Sequence, residues 1–111
     1  MSARRYDVAW TEVASHDVER LASYLLDEAP LRAERILLRI MSRGESLEFF
    51  PERARTPREL RAIGDQTWLE IQEPPWRSIY RIAGKKTVEI HGVLDGRRSL
   101  EDILVERLLH A

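Results

Sequence analysis

The stretch from Thr67 to Leu94 constrains the fold more than any other part of the chain, because it reads as a run of antiparallel strands. Its segments Thr67–Ile71, Trp76–Ile82 and Thr87–Leu94 carry the β-branched and aromatic residues that suit a pleated surface. Pro74-Pro75 divides the first two segments, since proline fixes φ and supplies no N–H to a ladder. Gly84-Lys85-Lys86 makes the second turn, with glycine free to adopt positive φ.

Side chains alternate between sheet faces, so the strands resolve into two surfaces. A turn about Lys85 sets Ile82 against Val88, Tyr80 against Ile90 and Ser78 against Gly92. With Leu69, Ile71 and Leu94 these make an apolar face that needs helices to cover it. The other face collects Trp68, Glu70, Arg77, Ile79, Arg81, Glu89 and His91. Two readings of it stand side by side. One is a functional surface; the other is a solvated face with an Arg81–Glu89 cross-strand pair worth about a few tenths of a kcal/mol.

The covering helices are legible upstream. Arg5 to Trp10 alternates as a short strand that adds to a sheet edge. Thr11 is placed to cap a helix, with Glu12 in the first turn where negative charge suits the dipole. Ala14, Val18, Leu21, Ala22, Leu25 and Ala29 recur at helical spacing, and Asp17 falls among the polar positions. Pro30 closes this helix and can open the next, where its missing N–H costs nothing. A second stripe follows in Ala33, Ile36, Leu37, Ile40, Met41, Leu47 and Phe50. Gly44 inside that pattern implies a bend or close packing. The short connection makes the two helices an antiparallel hairpin.

Between Pro51 and Asp65 periodicity is lost, and Arg53, Arg55, Arg58 and Arg61 outnumber Glu52 and Glu59. The segment is either a solvated connector or a surface that meets an anionic partner. After the strands, Asp95-Gly96-Arg97-Arg98 makes a turn and Ser99 caps a short C-terminal helix. The expected fold is therefore α+β: an N-terminal edge strand, an α-helical hairpin, a three-stranded antiparallel sheet and a short C-terminal helix. A chain of 111 residues is expected to form one domain, residues 1–111.

Composition removes several function classes. The 18 basic and 19 acidic residues leave a net charge of -1, so any case for nucleic-acid binding rests on local clustering. With no cysteine, thiol catalysis, disulfides and Cys-zinc sites are all excluded. His16 and His110 are too isolated for a metal site, and no phosphate-binding glycine loop is present. No cofactor is expected. No apolar run is long enough to span a membrane and no signal-like segment opens the sequence, so a cytoplasmic location is expected.

Taken in order, Val8-Ala9-Trp10-Thr11, the helical hairpin, Pro57-Arg58-Glu59-Leu60-Arg61 with Gly64, Trp76 to Ile82, and Gly96-Arg97-Arg98-Ser99-Leu100 resemble the ParE/RelE superfamily. These are the toxins of type II toxin–antitoxin, or plasmid stabilisation, modules. The resemblance implies a small sheet packed on an N-terminal helical hairpin, in agreement with the reading above. It also implies a cognate antitoxin (ParD-like or similar), which folds a disordered segment around the toxin, with Trp68, Trp76 and Ile79 as sheet-side anchors. No sequence-specific DNA binding by the chain itself is expected.

Members of the superfamily differ in target: RelE-like toxins cut mRNA on the ribosome, and ParE-like toxins inhibit DNA gyrase. The RelE pattern places two lysines on the strand matching Trp68 to Glu70 and a tyrosine near the C-terminus. Here Trp68 and Glu70 occupy the strand, and no tyrosine follows Tyr80. The resemblance therefore implies a ParE-like gyrase inhibitor that acts by binding and is not an enzyme. The residues expected to meet target or antitoxin are Arg61, Trp68, Trp76, Arg77, Arg81, Arg97 and Arg98. One alternative is an mRNA endoribonuclease using Glu70, Arg77, His91 and Arg97, with the imidazole in acid–base work. The other is an inactive member that keeps only antitoxin binding.

Overall fold

The structure is a computed structural model that describes residues 5–61, 64 and 67–97. Its elements are strand β1 (Asp7–Trp10), helices α1 (Glu12–Glu28), α2 (Ala33–Glu45) and α3 (Arg58–Arg61), and strands β2 (Leu69–Glu73), β3 (Trp76–Ala83) and β4 (Thr87–Asp95). Two 3-10 turns, Ser46–Glu48 and Pro51–Arg53, join α2 to α3. The helical hairpin and the antiparallel run β2–β3–β4 stand as the sequence implies. The C-terminal helix expected from Ser99, and Arg98 before it, lie outside the described residues.

The sheet has four strands in the order β1-β4-β3-β2. β1 joins the edge beside β4 in parallel, from Asp7 opposite Thr87 to Trp10 opposite Ile90. A parallel neighbour needs a long crossover, which the helices supply. Ile82 opposes Val88 and Tyr80 opposes Ile90, as the alternation implies. The third pairing differs. Ser78 opposes Val93 and Ile79 opposes Gly92, so His91 is the extra residue of a β-bulge.

That one residue changes which side chains face the helices. Val93 joins Leu25, Ala33, Ile40 and Trp76 in the core, while Leu94 turns to the opposite face and packs with Ile79, Leu60 and Trp68. Strict alternation had set Leu94 beside Leu69 and Ile71. A larger cluster of Ala14, Leu47, Ile71, Tyr80, Val88 and Ile90 fills the space under α1 and the first 3-10 turn. Burying each of the larger aliphatic side chains is worth about 1.5–3 kcal/mol.

The helices follow local chemistry. The Thr11 hydroxyl accepts from the Ala14 N–H at 3.1 Å, which caps α1. Ala29 is driven out of the helical region by Pro30 and ends it. Pro30 lies in a turn rather than opening α2, which starts at Ala33. Gly44 is buried where a Cβ would lie 2.6 Å from the Trp10 ring, so its role is close packing. The second stripe is shorter than expected: Met41 and Phe50 are 45% and 57% exposed. Phe50 has φ 50°, a left-handed conformation that no helix continues through.

The basic connector is more ordered than its composition implies. The buried Tyr80 hydroxyl donates to the Pro51 carbonyl and pins the second 3-10 turn to the core. Burial raises the ionisation of that phenol well above its usual range. The Glu70 N–H donates to the Arg55 carbonyl at 2.8 Å, which ties the connector to the free edge of β2.

Candidate binding cleft

Alternation along β2 and β3 places Glu70 and Arg77 on the face away from the main core, and α3 brings Glu59 over them. Arg77 Nη1 and Nη2 donate to the two oxygens of Glu59 at 3.0 Å each, a bidentate fork. Its Nε donates to Glu70 Oε2 at 2.6 Å. Arg55 Nε donates to the other Glu70 oxygen at 3.1 Å. Arg77 is 5% exposed and Glu70 3%, a depth at which charges persist only when paired. The hydrogen bonds from Arg77 to Glu59, reinforced by Glu70, outweigh desolvation and hold the guanidinium even more firmly protonated than usual.

Above this floor lies a cleft of about 380 Å³, lined by Arg55, Arg58, Arg61, Glu70, Gln72, Arg77 and Gly96. A Cβ at Gly96 would stand 3.2 Å from Arg77 Cγ and closer still to the Pro75 carbonyl. Glycine there lets the β4 turn close over the stem of Arg77. Arg58 and Arg61 are exposed on the rim, with no ion-pair partner among the described residues.

A second group lies further along the same face, beyond Ile79. Arg81 Nε donates to Glu89 Oε1 at 2.8 Å, and His91 Nε2 lies 3.1 Å from the same oxygen. The Arg81 guanidinium stands 5.6 Å above the Trp68 ring, and the His91 ring meets Trp68 edge-on at 4.9 Å. The hydrogen bond from Arg81, then that from His91, holds the Glu89 carboxyl below its usual range.

The sequence-derived candidates thus fall in four places. Arg61 and Arg77 share the cleft with Glu70, and Trp68, Arg81 and His91 share the second group. Arg97 folds back on Asp95, with Nη2 2.7 Å from Oδ2. Trp76 is 8% exposed and packed among Leu25, Ala33 and Ile40. It and Ile79, 7% exposed, are therefore core residues rather than surface anchors: alternation turns the Trp76 ring under the helices, and the bulge brings Leu94 against Ile79. Arg55 and Arg58, marked in the sequence only as part of the basic segment, line the cleft with Arg61, and Glu59 joins its floor. Their signal was the density of charge from Arg53 to Arg61, four arginines and one glutamate, which could not show which of them reach β2 and β3.

The fold is that of a small α+β protein with an arginine-rimmed cleft on the sheet face opposite α1 and α2. Residues 8–100 match the family described as the ParE toxin of the type II toxin–antitoxin system parDE. The chain belongs to that family of toxins. Among solved structures, it is similar to a chain of the chromosomal ParDE system from P. aeruginosa. That likeness has a TM-score of 0.67 at 14% identity, over 84% of this chain and 98% of the other. It is also similar to a chain of the RelBE2 toxin–antitoxin complex from Mycobacterium tuberculosis, with a TM-score of 0.58 at 25% identity over 82% and 91%. No curated protein matches it. Among the described residues, no helix is long and apolar enough to cross a membrane.

Proposed function

We propose that this toxin acts by binding: it inhibits DNA gyrase in the cytoplasm as a single domain and is neutralised by a cognate antitoxin. The observation that carries the reading is the state of the side chains a nuclease would need. Glu70 and Arg77 are bonded to each other in the cleft floor, His91 sits with Glu89 and Trp68, and Arg97 is paired with Asp95. RNA cleavage needs a base, an acid and cations around one reacting phosphate. These groups are held in three separate pairs, which supports recognition over catalysis.

The antitoxin is proposed to lie along the outer side of α2. There Leu31 and Leu38 stand exposed beside Arg35, Arg39 and Ser42 along an open groove of about 800 Å³. An amphipathic segment that folds on binding matches such a groove. The test is expression. The chain alone is expected to arrest growth, coexpression with its antitoxin to restore it, and transcripts in arrested cells to stay intact.

The second reading is an mRNA endoribonuclease. The cationic cleft around Arg77 favours it, as does 25% identity to a chain of a RelBE2 complex. It requires truncated transcripts in arrested cells, and loss of cleavage in Arg77→Ala or His91→Ala.

A further inference from the structure

We propose that the cleft rimmed by Arg55, Arg58 and Arg61 over Arg77 is a binding site for a phosphate monoester. The first argument is charge. Among the described residues around the cleft, four guanidinium groups stand against two carboxylates, Glu59 and Glu70, a surplus of two positive charges. A phosphate monoester carries about −1.5 to −2 near neutral pH and presents three acceptor oxygens. A carboxylate or an internal phosphodiester carries one negative charge and leaves the surplus half compensated.

The second argument is preorganisation. Arg77 and Glu70 are buried and mutually bonded, so the floor is fixed before any ligand arrives. Arg55 is held at the rim twice, by its Nε bond to Glu70 and by the Glu70 N–H bond to its own carbonyl. Its Nη donors have no partner among the described residues. Arg58 and Arg61 are three residues apart on α3 and therefore project to the same side, into the cleft. Guanidinium forks of this kind match the planar pairs of oxygens on a phosphate.

The third argument is what lines the cleft. Among the described residues every lining side chain is charged or amide, and none is apolar or aromatic. Among the described residues nothing there stacks on a base, so their hold is on the phosphate, and the attached group has room in a cleft of about 380 Å³. A terminal phosphate satisfies this whether it belongs to a small ester or to the end of a nucleic-acid strand. The inference does not rest on gyrase as the target.

The test is an NMR titration of arginine Nε–H signals in the whole 111-residue chain with inorganic phosphate, at constant ionic strength set by chloride. Saturable shifts are expected in Arg55, Arg58, Arg61 and Arg77. In the Arg58→Gln/Arg61→Gln double variant, affinity is expected to fall by about tenfold or more, since bonds to charged groups are lost. Both positions are exposed, and an unchanged amide spectrum would confirm the fold. Further arms use adenosine monophosphate and a short single-stranded oligonucleotide with either a 5′-phosphate or a 5′-hydroxyl. Tighter binding of the phosphorylated strand identifies a strand end as the source; binding of phosphate and the mononucleotide alone identifies a small ester. Shifts that do not saturate, equal affinity in the double variant, or a 5′-hydroxyl strand binding as tightly as the phosphorylated one would overturn the proposal.

Discussion

Asp17 and Val93, 76 residues apart, are joined by a buried hydrogen bond in which the Val93 N–H donates to Asp17 Oδ2 at 3.0 Å. β1 pairs with β4 only as far as Ile90, and the Thr11 N–H takes the Ile90 carbonyl at 3.0 Å. Beyond that point β4 has no strand on this side among the described residues. Asp17, 6% exposed on α1, supplies the acceptor that a longer β1 would have provided. It does so just after the bulge at His91.

Removing that acceptor leaves a buried N–H unsatisfied, which costs about 1–3 kcal/mol. Asp17→Ala is therefore expected to lower unfolding stability by that amount in urea denaturation, with faster hydrogen exchange at the Val93 amide. An unchanged exchange rate at Val93 would show that the bond does not hold the strand.

The Arg77 pairs should behave as one unit. Arg77→Met strands Glu59 and Glu70 without their shared partner, and breaking a buried pair from one side costs about 3–5 kcal/mol. The double variant Arg77→Met/Glu70→Gln is expected to recover part of the loss, because one of the two stranded carboxylates is neutralised. Chemical denaturation of the two variants measures this, and equal stability for both would contradict a coupled floor.

Period-two patterning placed Glu70, Arg77, Arg81 and His91 on one face, and the structure brings each to a partner there. Capping chemistry gave Thr11, and Gly44 within the second helical stripe implied a bend or close packing, of which the structure shows close packing. The pattern failed after Ile90, because a bulge inserts one unpaired residue and so exchanges Val93 and Leu94 between faces. Periodicity carries no signal for that insertion, nor for Asp17, whose bond depends on where β1 stops. Glu59 was hidden for another reason. Its partner lies 18 residues away, across a segment with no repeating pattern.

Gly44 tests close packing directly. Alanine is the better helix former by about 1 kcal/mol, yet its Cβ would stand 2.6 Å from Trp10 Cζ2 and 3.0 Å from Ile90 Cδ1. Overpacking of this kind costs about 1–3 kcal/mol, so Gly44→Ala is expected to be net destabilising. A raised melting temperature for the variant would show that the Trp10 ring moves aside freely.

Glu89 gives a pH dependence with a definite sign. Its carboxyl is held below the usual range in the folded chain, first by Arg81 and then by His91. A depressed acid contributes stability above its unfolded pKa and loses it as pH falls through the folded value. Wild type is thus expected to exceed Glu89→Gln in melting temperature at neutral pH, and the gap to narrow as pH falls below the usual glutamate value of about 4.3 and to close below the lower folded value. A gap that stays constant through that range would remove the ion pairs as its cause.

The central claim, a toxin that acts by binding gyrase, is met most directly by a DNA supercoiling assay with purified gyrase and antitoxin-free toxin, alongside RNA incubated with and without ribosomes. Supercoiling is expected to be lost, RNA to remain whole, and added antitoxin to restore supercoiling. Normal supercoiling, with or without cut RNA, would contradict that claim.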